Sequence, residues 1–122
     1  MDKKEILVVD DEPDFLEMIK TRLEANNYVV ITASNGQEGL EKVKEHKPAL
    51  IILDILMPKV DGPAMAQTLK LDPETENIPI IFLTCLYTKS EEKERSHMRN
   101  RNILMAKPFD ASTLLATIRE II

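Results

Sequence analysis

The chain is poor in the residues that build several common kinds of site. Its 122 residues include one cysteine, Cys85, and three glycines, Gly36, Gly39 and Gly62. A single cysteine excludes an internal disulfide and fits a reducing compartment. Three scattered glycines leave no G-x-x-x-x-G-K-[ST] loop and no G-x-G-x-x-G after the first apolar run, so a dinucleotide- or flavin-binding reading is poor. Basic excess is lacking too. Sixteen Lys and Arg stand against 21 Asp and Glu, a net charge of −5, which argues against a nucleic-acid surface because phosphate binding rests on clustered basic groups. No apolar run is long enough to cross a bilayer. "MDKKEILVVD" leads from charge straight into a strand rather than through a signal peptide. Low-complexity tracts, linkers and repeats are missing. The expectation is a cytoplasmic single domain over residues 1–122, with no output domain and no direct nucleic-acid or membrane partner. That length buries roughly two thirds of the surface of the unfolded chain.

What is present is an alternation. "EILVV" (5–9), "YVVIT" (28–32), "ALIIL" (49–53), "PIIFLT" (79–84) and "NILMA" (102–106) are short and mostly continuously apolar, as strands covered on both faces must be. Amphipathic segments lie between them. Pro13 suits a first helical turn, and Phe15, Ile19 and Leu23 follow at four-residue spacing. Asn35 with Glu38 resembles a capping box opening a helix through Leu40 and Val43. Met65 and Leu69 mark a third helix after Gly62. Thr88 with Glu91 caps a charged fourth, and Asp110 opens a fifth whose stripe is Leu114, Leu115, Ile118, Ile121 and Ile122. The pattern predicts an α/β doubly wound domain: a five-stranded parallel sheet with five helices and right-handed crossovers.

Sites in such sheets form beyond the carboxyl ends of the strands, where the strand order reverses. Strand one ends in Asp10 and Asp11, strand three in Asp54, strand four in Thr84, and strand five in Lys107-Pro108. With the order 2-1-3-4-5, strands one and three are neighbours and the three carboxylates converge. At about 4 Å and an effective dielectric near 20, each such pair costs about 4 kcal/mol. A raised pKa or a divalent cation relieves that, and an oxygen-rich cluster suits Mg²⁺. Lys107 adds positive charge and Thr84 a hydroxyl donor. A cation, an ammonium and a hydroxyl around one carboxylate form a site for a phosphoryl group on it.

"ILVVDDEPD", "LIILDILMPKVDG", "IIFLT" and "AKPF", in this order and spacing, resemble the receiver domain of two-component response regulators over essentially the whole chain, similar to single-domain chemotaxis-type regulators. The resemblance implies a flavodoxin-like fold and a signalling switch rather than an enzyme. It implies that Asp54 accepts a phosphoryl group from a phosphohistidine on a sensor histidine kinase or phosphotransfer protein. Asp10, Asp11, Asp54 and the backbone carbonyl of Leu56 then hold Mg²⁺. Thr84 moves to the phosphate, Lys107 pairs with it, and the Lys107-Pro108 bond is expected to be cis. The face of helix four, strand five and helix five then changes to control a target protein or a missing effector domain.

Each residue also has a plainer use. Asp10 and Asp11 could cap the first helix; Asp61-Gly62 reads as a turn; Thr84 and Lys107 alone read as a strand-end hydroxyl and a surface lysine. His46 and His97 are expected on the surface, and the methionines in core positions rather than in a cofactor box. A charge among seven apolar residues, at Asp54, needs a partner. The family places polar side chains two residues after the phosphoacceptor and after the switch hydroxyl when the phosphate is lost quickly; Leu56 and Leu86 stand there, so slow hydrolysis is expected. Cys85 replaces a smaller residue beside the phosphate path. Leu104 replaces the switching aromatic, with Tyr87 nearby. Residues 89–102 are more polar than the family's fourth helix. The alternative function is a phosphorylation-independent binding module on the same fold. A phosphatase acting through an aspartyl-phosphate would want an acid where Leu56 stands.

Overall fold

A computed structural model describes residues 3–54, 62–84, 103–106 and 111–122. The described elements are β1 (Glu5–Val9), α1 (Pro13–Glu24), β2 (Val29–Ala33), α2 (Gly36–His46), β3 (Leu50–Asp54), α3 (Gly62–Lys70), β4 (Ile80–Thr84), β5 (Ile103–Ala106) and the C-terminal helix α4 (Ala111–Ile121). The helix expected from Thr88 and Glu91, and its opening residue Asp110 for the last helix, lie outside the described residues. Among the described residues no helix is long and apolar enough to cross a membrane.

The strands form one parallel sheet of order β2-β1-β3-β4-β5. Both faces are covered, which is why the strands read as continuous apolar runs. Period-two alternation divides them into two cores. Leu7, Val9, Ile51, Leu53, Ile80 and Phe82 face α2 and α3, packing with Val43, Met65 and Leu69. Ile6, Val8, Leu50, Ile52, Ile81 and Leu83 face α1 and α4, packing with Ile19, Leu23, Leu114 and Ile118. Leu115, Ile121 and Ile122 pack partly buried on the second core, so the apolar end of the chain serves as core stripe.

Local chemistry sets the helix bounds. Pro13 occupies the first turn of α1, where its missing N–H costs nothing. Asn35 caps α2: its Oδ1 accepts the Glu38 N–H at 2.9 Å. The reciprocal half of the expected box is redirected, because the Glu38 carboxylate takes the Ser34 hydroxyl at 2.9 Å. Strands β2 and β3 run one residue later than the sequence pattern suggested, so Asp54 itself closes the β3 ladder. Met65 is fully buried, whereas Met18 is 51% exposed. Met18 precedes the inward Ile19 by one position, about 100° round the helix from the buried stripe. His46 is a surface residue, its Nδ1 4.0 Å from the Glu5 carboxylate; His97 lies outside the described residues.

Candidate functional site

Val9 and Leu53 are partners in the β1–β3 register. One step further, at the carboxyl edge of the sheet, Asp10 and Asp54 stand side by side on strands about 4.8 Å apart. Each follows by two residues an inward side chain, Val8 or Ile52, of the core under α1 and α4. Asp54, the last residue of β3, shares the face of Ile52 by alternation, whereas Asp10 is the first residue beyond β1 and belongs to the turn. Asp10 is fully buried and Asp54 half-buried. The tight apolar packing below them holds the two backbones level: Val8, Val9, Ile52 and Leu53 are each 0% exposed.

The turn after β1 is fixed by hydrogen bonds. The Asp10 N–H donates to the Ala33 carbonyl at 3.1 Å, tying the end of β1 to that of β2. Asp10 Oδ1 accepts the Glu12 N–H at 3.0 Å. The Glu12 carbonyl in turn accepts the Leu16 N–H at 3.1 Å, the first helical bond of α1. Glu12 is thus the residue at the helix cap, and its side chain makes no capping bond. Asp10 and Asp11 precede the cap. Asp10 closes the turn leading into the helix rather than capping it.

Carboxylate oxygens of Asp10, Asp11 and Glu12 all lie within 4.8 Å of one another, with Asp11 and Glu12 exposed. A donor set made only of carboxylate oxygens fits a hard cation such as Mg²⁺. It also repels itself, so a cation in its midst is favoured electrostatically. The start of α1 adds a partial positive charge on the same rim.

The rim continues across the sheet. Asp54 pairs with Leu83, and Thr84 pairs with Ala106. The backbones of positions 10, 54, 84 and 106 therefore follow one another along a single edge. The side chain of Thr84, and all of Leu56, Cys85, Leu86, Tyr87, Lys107 and Pro108, lie outside the described residues. So do segment 89–102, Asp61 and the side chain of Leu104. The structure brings Asp10, Asp11 and Asp54 to one rim and sets the Thr84 backbone along it. It adds a residue the sequence reasoning had passed over, Glu12. Its signal was available as three successive acids before a helix-starting proline.

The response regulator receiver domain family matches residues 6–119. The chain belongs to that family. A probable transcriptional regulator, ycf27 of Pyropia yezoensis, is 38% identical over 120 residues, 98% of this chain and 48% of that protein. The polar-differentiation response regulator DivK of Brucella anthropi is 32% identical over 116 residues, 95% of this chain and 94% of that protein. The chain thus spans about half the length of the ycf27 protein and nearly all of DivK. Among solved structures, the chemotaxis protein CheY4 of Vibrio cholerae superposes with a TM-score of 0.85 at 26% identity, covering 99% of this chain and 100% of that one. The fold is flavodoxin-like α/β. Receiver domains are, as a class, phosphoacceptor switches of two-component signalling rather than conventional enzymes. Response regulators work with histidine kinases or phosphotransfer proteins on one side and effectors on the other.

Proposed function

We propose that this chain is a single receiver domain whose Asp54 carries the phosphoryl group. A carboxylate oxygen of Asp54 forms the new P–O bond as the P–N bond of a phosphohistidine breaks. The electron pair returns to the imidazole of a sensor kinase or phosphotransfer protein, which takes up a proton. The placement of Asp10 and Asp54 as neighbours beyond the buried pair Val9 and Leu53 is the observation that carries this reading. A half-buried carboxylate at the carboxyl edge of the sheet, on a backbone anchored by packing and one strand from Asp10, supports its use as the acceptor.

Asp10, Asp11, Asp54 and the carbonyl of Leu56 would hold Mg²⁺. Bound there, the cation neutralises the phosphoryl oxygens as charge moves between them. The hydroxyl of Thr84 donates to a phosphoryl oxygen, and the ammonium of Lys107 pairs with another. Drawing Thr84 toward the phosphate shifts the population of two arrangements of the face made by residues 89–102, β5 and α4. That face then binds a target protein or controls an effector domain. Leu56 and Leu86 supply no side chain to orient an attacking water, so the phosphoryl group persists.

Intact mass after incubation with acetyl phosphate tests this, with and without Mg²⁺, on the wild type and Asp54→Asn. One phosphoryl adduct that needs Mg²⁺ and is missing in Asp54→Asn is the expected result. A folded wild type that stays unmodified by acetyl phosphate and by a cognate phosphorylated kinase overturns the proposal in favour of a phosphorylation-independent binding module.

A further inference from the structure

Glu12 is a poor choice for a helix cap, where Ser, Thr, Asp and Asn are preferred because their short side chains reach the free N–H groups of the first turn. Its carboxylate makes no such bond. Its backbone is held on both sides, by Asp10 Oδ1 on its N–H and by the Leu16 N–H on its carbonyl. The side chain is exposed, and it brings a carboxylate oxygen within 4.8 Å of those of both Asp10 and Asp11. Among the described residues that carboxylate has no hydrogen-bond or ion-pair partner. The plain alternative is a favourable charge near the start of α1, a role Asp14 already fills in the first turn.

We infer that Glu12 is a positioning residue of the cation site, holding the ion through the ion's own water rather than by direct ligation. The inference rests on the reading of this rim as a Mg²⁺ site. Mg²⁺ dehydrates reluctantly and keeps several waters while taking only one or two carboxylates directly. Three proposed carboxylate ligands, Asp10, Asp11 and Asp54, already exceed that number. Glu12, on the solvent side of the cluster, is therefore left to accept hydrogen bonds from cation-bound water and to add its charge. A unit charge about 5 Å from a dication through water changes affinity by roughly tenfold in dilute buffer, and by much less once salt screens it. A direct ligand, by contrast, is lost at any ionic strength.

The two cases separate in a Mg²⁺ titration of the unphosphorylated full chain. It is read by amide NMR shifts and by the Mg²⁺-dependent rise in unfolding temperature, for wild type, Glu12→Gln, Glu12→Asp and Asp11→Asn. Glu12→Gln is expected to bind about 3–10-fold more weakly at low salt. The difference should shrink toward nothing at roughly 0.5 M KCl, where screening is strong. Glu12→Asp recovers part of the affinity, while Asp11→Asn fails at both salt levels. The Glu12 side chain is exposed and makes no capping bond, so the metal-free fold tolerates the two Glu12 substitutions. If Glu12→Gln binds like the wild type while Asp11→Asn does not, the cation site stands and the role of Glu12 falls. A loss in Glu12→Gln that salt does not diminish makes it a direct ligand and also overturns the inference. If the wild type takes up no Mg²⁺, the cation-site reading fails and this inference with it.

Discussion

Asp10 and Asp54 extend the same two paired strands past the buried couple Val9 and Leu53, so the register of an apolar core brings two aspartates to neighbouring strand ends. The Asp10 carboxylate also lies within 4.8 Å of those of Asp11 and Glu12. Asp11, exposed in the same cluster, can be neutralised without opening a cavity. Asp11→Asn is expected to raise metal-free stability by up to about 1 kcal/mol, the scale of an exposed charge interaction. It should also remove the added stability that Mg²⁺ gives the wild type through binding to the native state alone. Urea unfolding with and without Mg²⁺ measures both, and an unchanged Mg²⁺ response in the variant would contradict the cluster's role.

Gly39 is where α2 approaches the sheet. A Cβ there would lie 2.9 Å from Met65 Cε and 3.0 Å from Val9 Cγ2. Alanine in a helix interior gains about 1 kcal/mol over glycine, but crowding in a packed core costs about 1–3 kcal/mol. The Met65 methyl is the end of a flexible chain and can give way; the Val9 methyl is stiff. Gly39→Ala should therefore lose about 1 kcal/mol net in urea unfolding, and a gain would show that α2 simply moves outward.

Lys47 ends α2 in the left-handed region, at φ 48°, with its N–H on the Val43 carbonyl at 2.8 Å. A side chain there costs about 1 kcal/mol that glycine avoids. Lys47→Gly is expected to raise stability by about 0.5–1 kcal/mol, with no effect on phosphorylation. An increase in unfolding temperature is the measurement.

Thr75, 2% exposed in the turn before β4, donates its hydroxyl proton to the Leu69 carbonyl at 2.6 Å. Thr75→Val keeps the shape and removes the hydroxyl donor while the Asp72 N–H still reaches that carbonyl at 3.3 Å, at a cost of about 0.5–1.5 kcal/mol. Thr75→Ser, which preserves the donor, should recover most of it. Equal losses in the two variants would assign the effect to packing instead.

In the same turn the Lys70 ammonium donates to the Glu76 carbonyl at 3.0 Å. Burial pushes the Lys70 amine below its ordinary 10.5, with the Glu76 carboxylate partly opposing. A folded-state pKa below the unfolded one means that the unfolded chain holds more protons in the window between them. The contribution of Lys70 to stability therefore rises as pH climbs through that window toward 10.5. Chemical denaturation across mildly alkaline pH should show a steeper rise for wild type than for Lys70→Gln. The reverse order would contradict the sign.

Phosphoryl loss follows from Leu56 and Leu86 if the proposed chemistry holds. The Asp54 adduct should outlast minutes in the absence of a phosphatase, and Leu56→Asn should shorten its life by restoring a group that can orient water. Mass spectrometry against time after removal of the donor follows both decays.

Much of this molecule is written in short-range pattern. Continuous apolar pentads announce strands buried on both faces, Pro13 and Asn35 announce helix starts, and the acid pair at positions 10 and 11 and the acid at 54 stand out because the pair and the single acid each directly follow such a run. Those features depend on neighbours along the chain, and period and capping chemistry suffice to read them. The order 2-1-3-4-5 could be posed only as a condition, because nothing local says that β1 lies between β2 and β3. That adjacency comes from how α1 and α4 fill one face while α2 and α3 fill the other. Nor does spacing distinguish a capping acid from a site acid. The structure shows only the capping part: Glu12 stands at the cap, its N–H on Asp10 Oδ1 and its carboxylate within 4.8 Å of those of Asp10 and Asp11. Sequence alone determined which residues are inward, which are charged and where the strands end. Tertiary structure decided which strand ends meet, because the register of buried side chains is a long-range agreement between segments that each could have paired elsewhere.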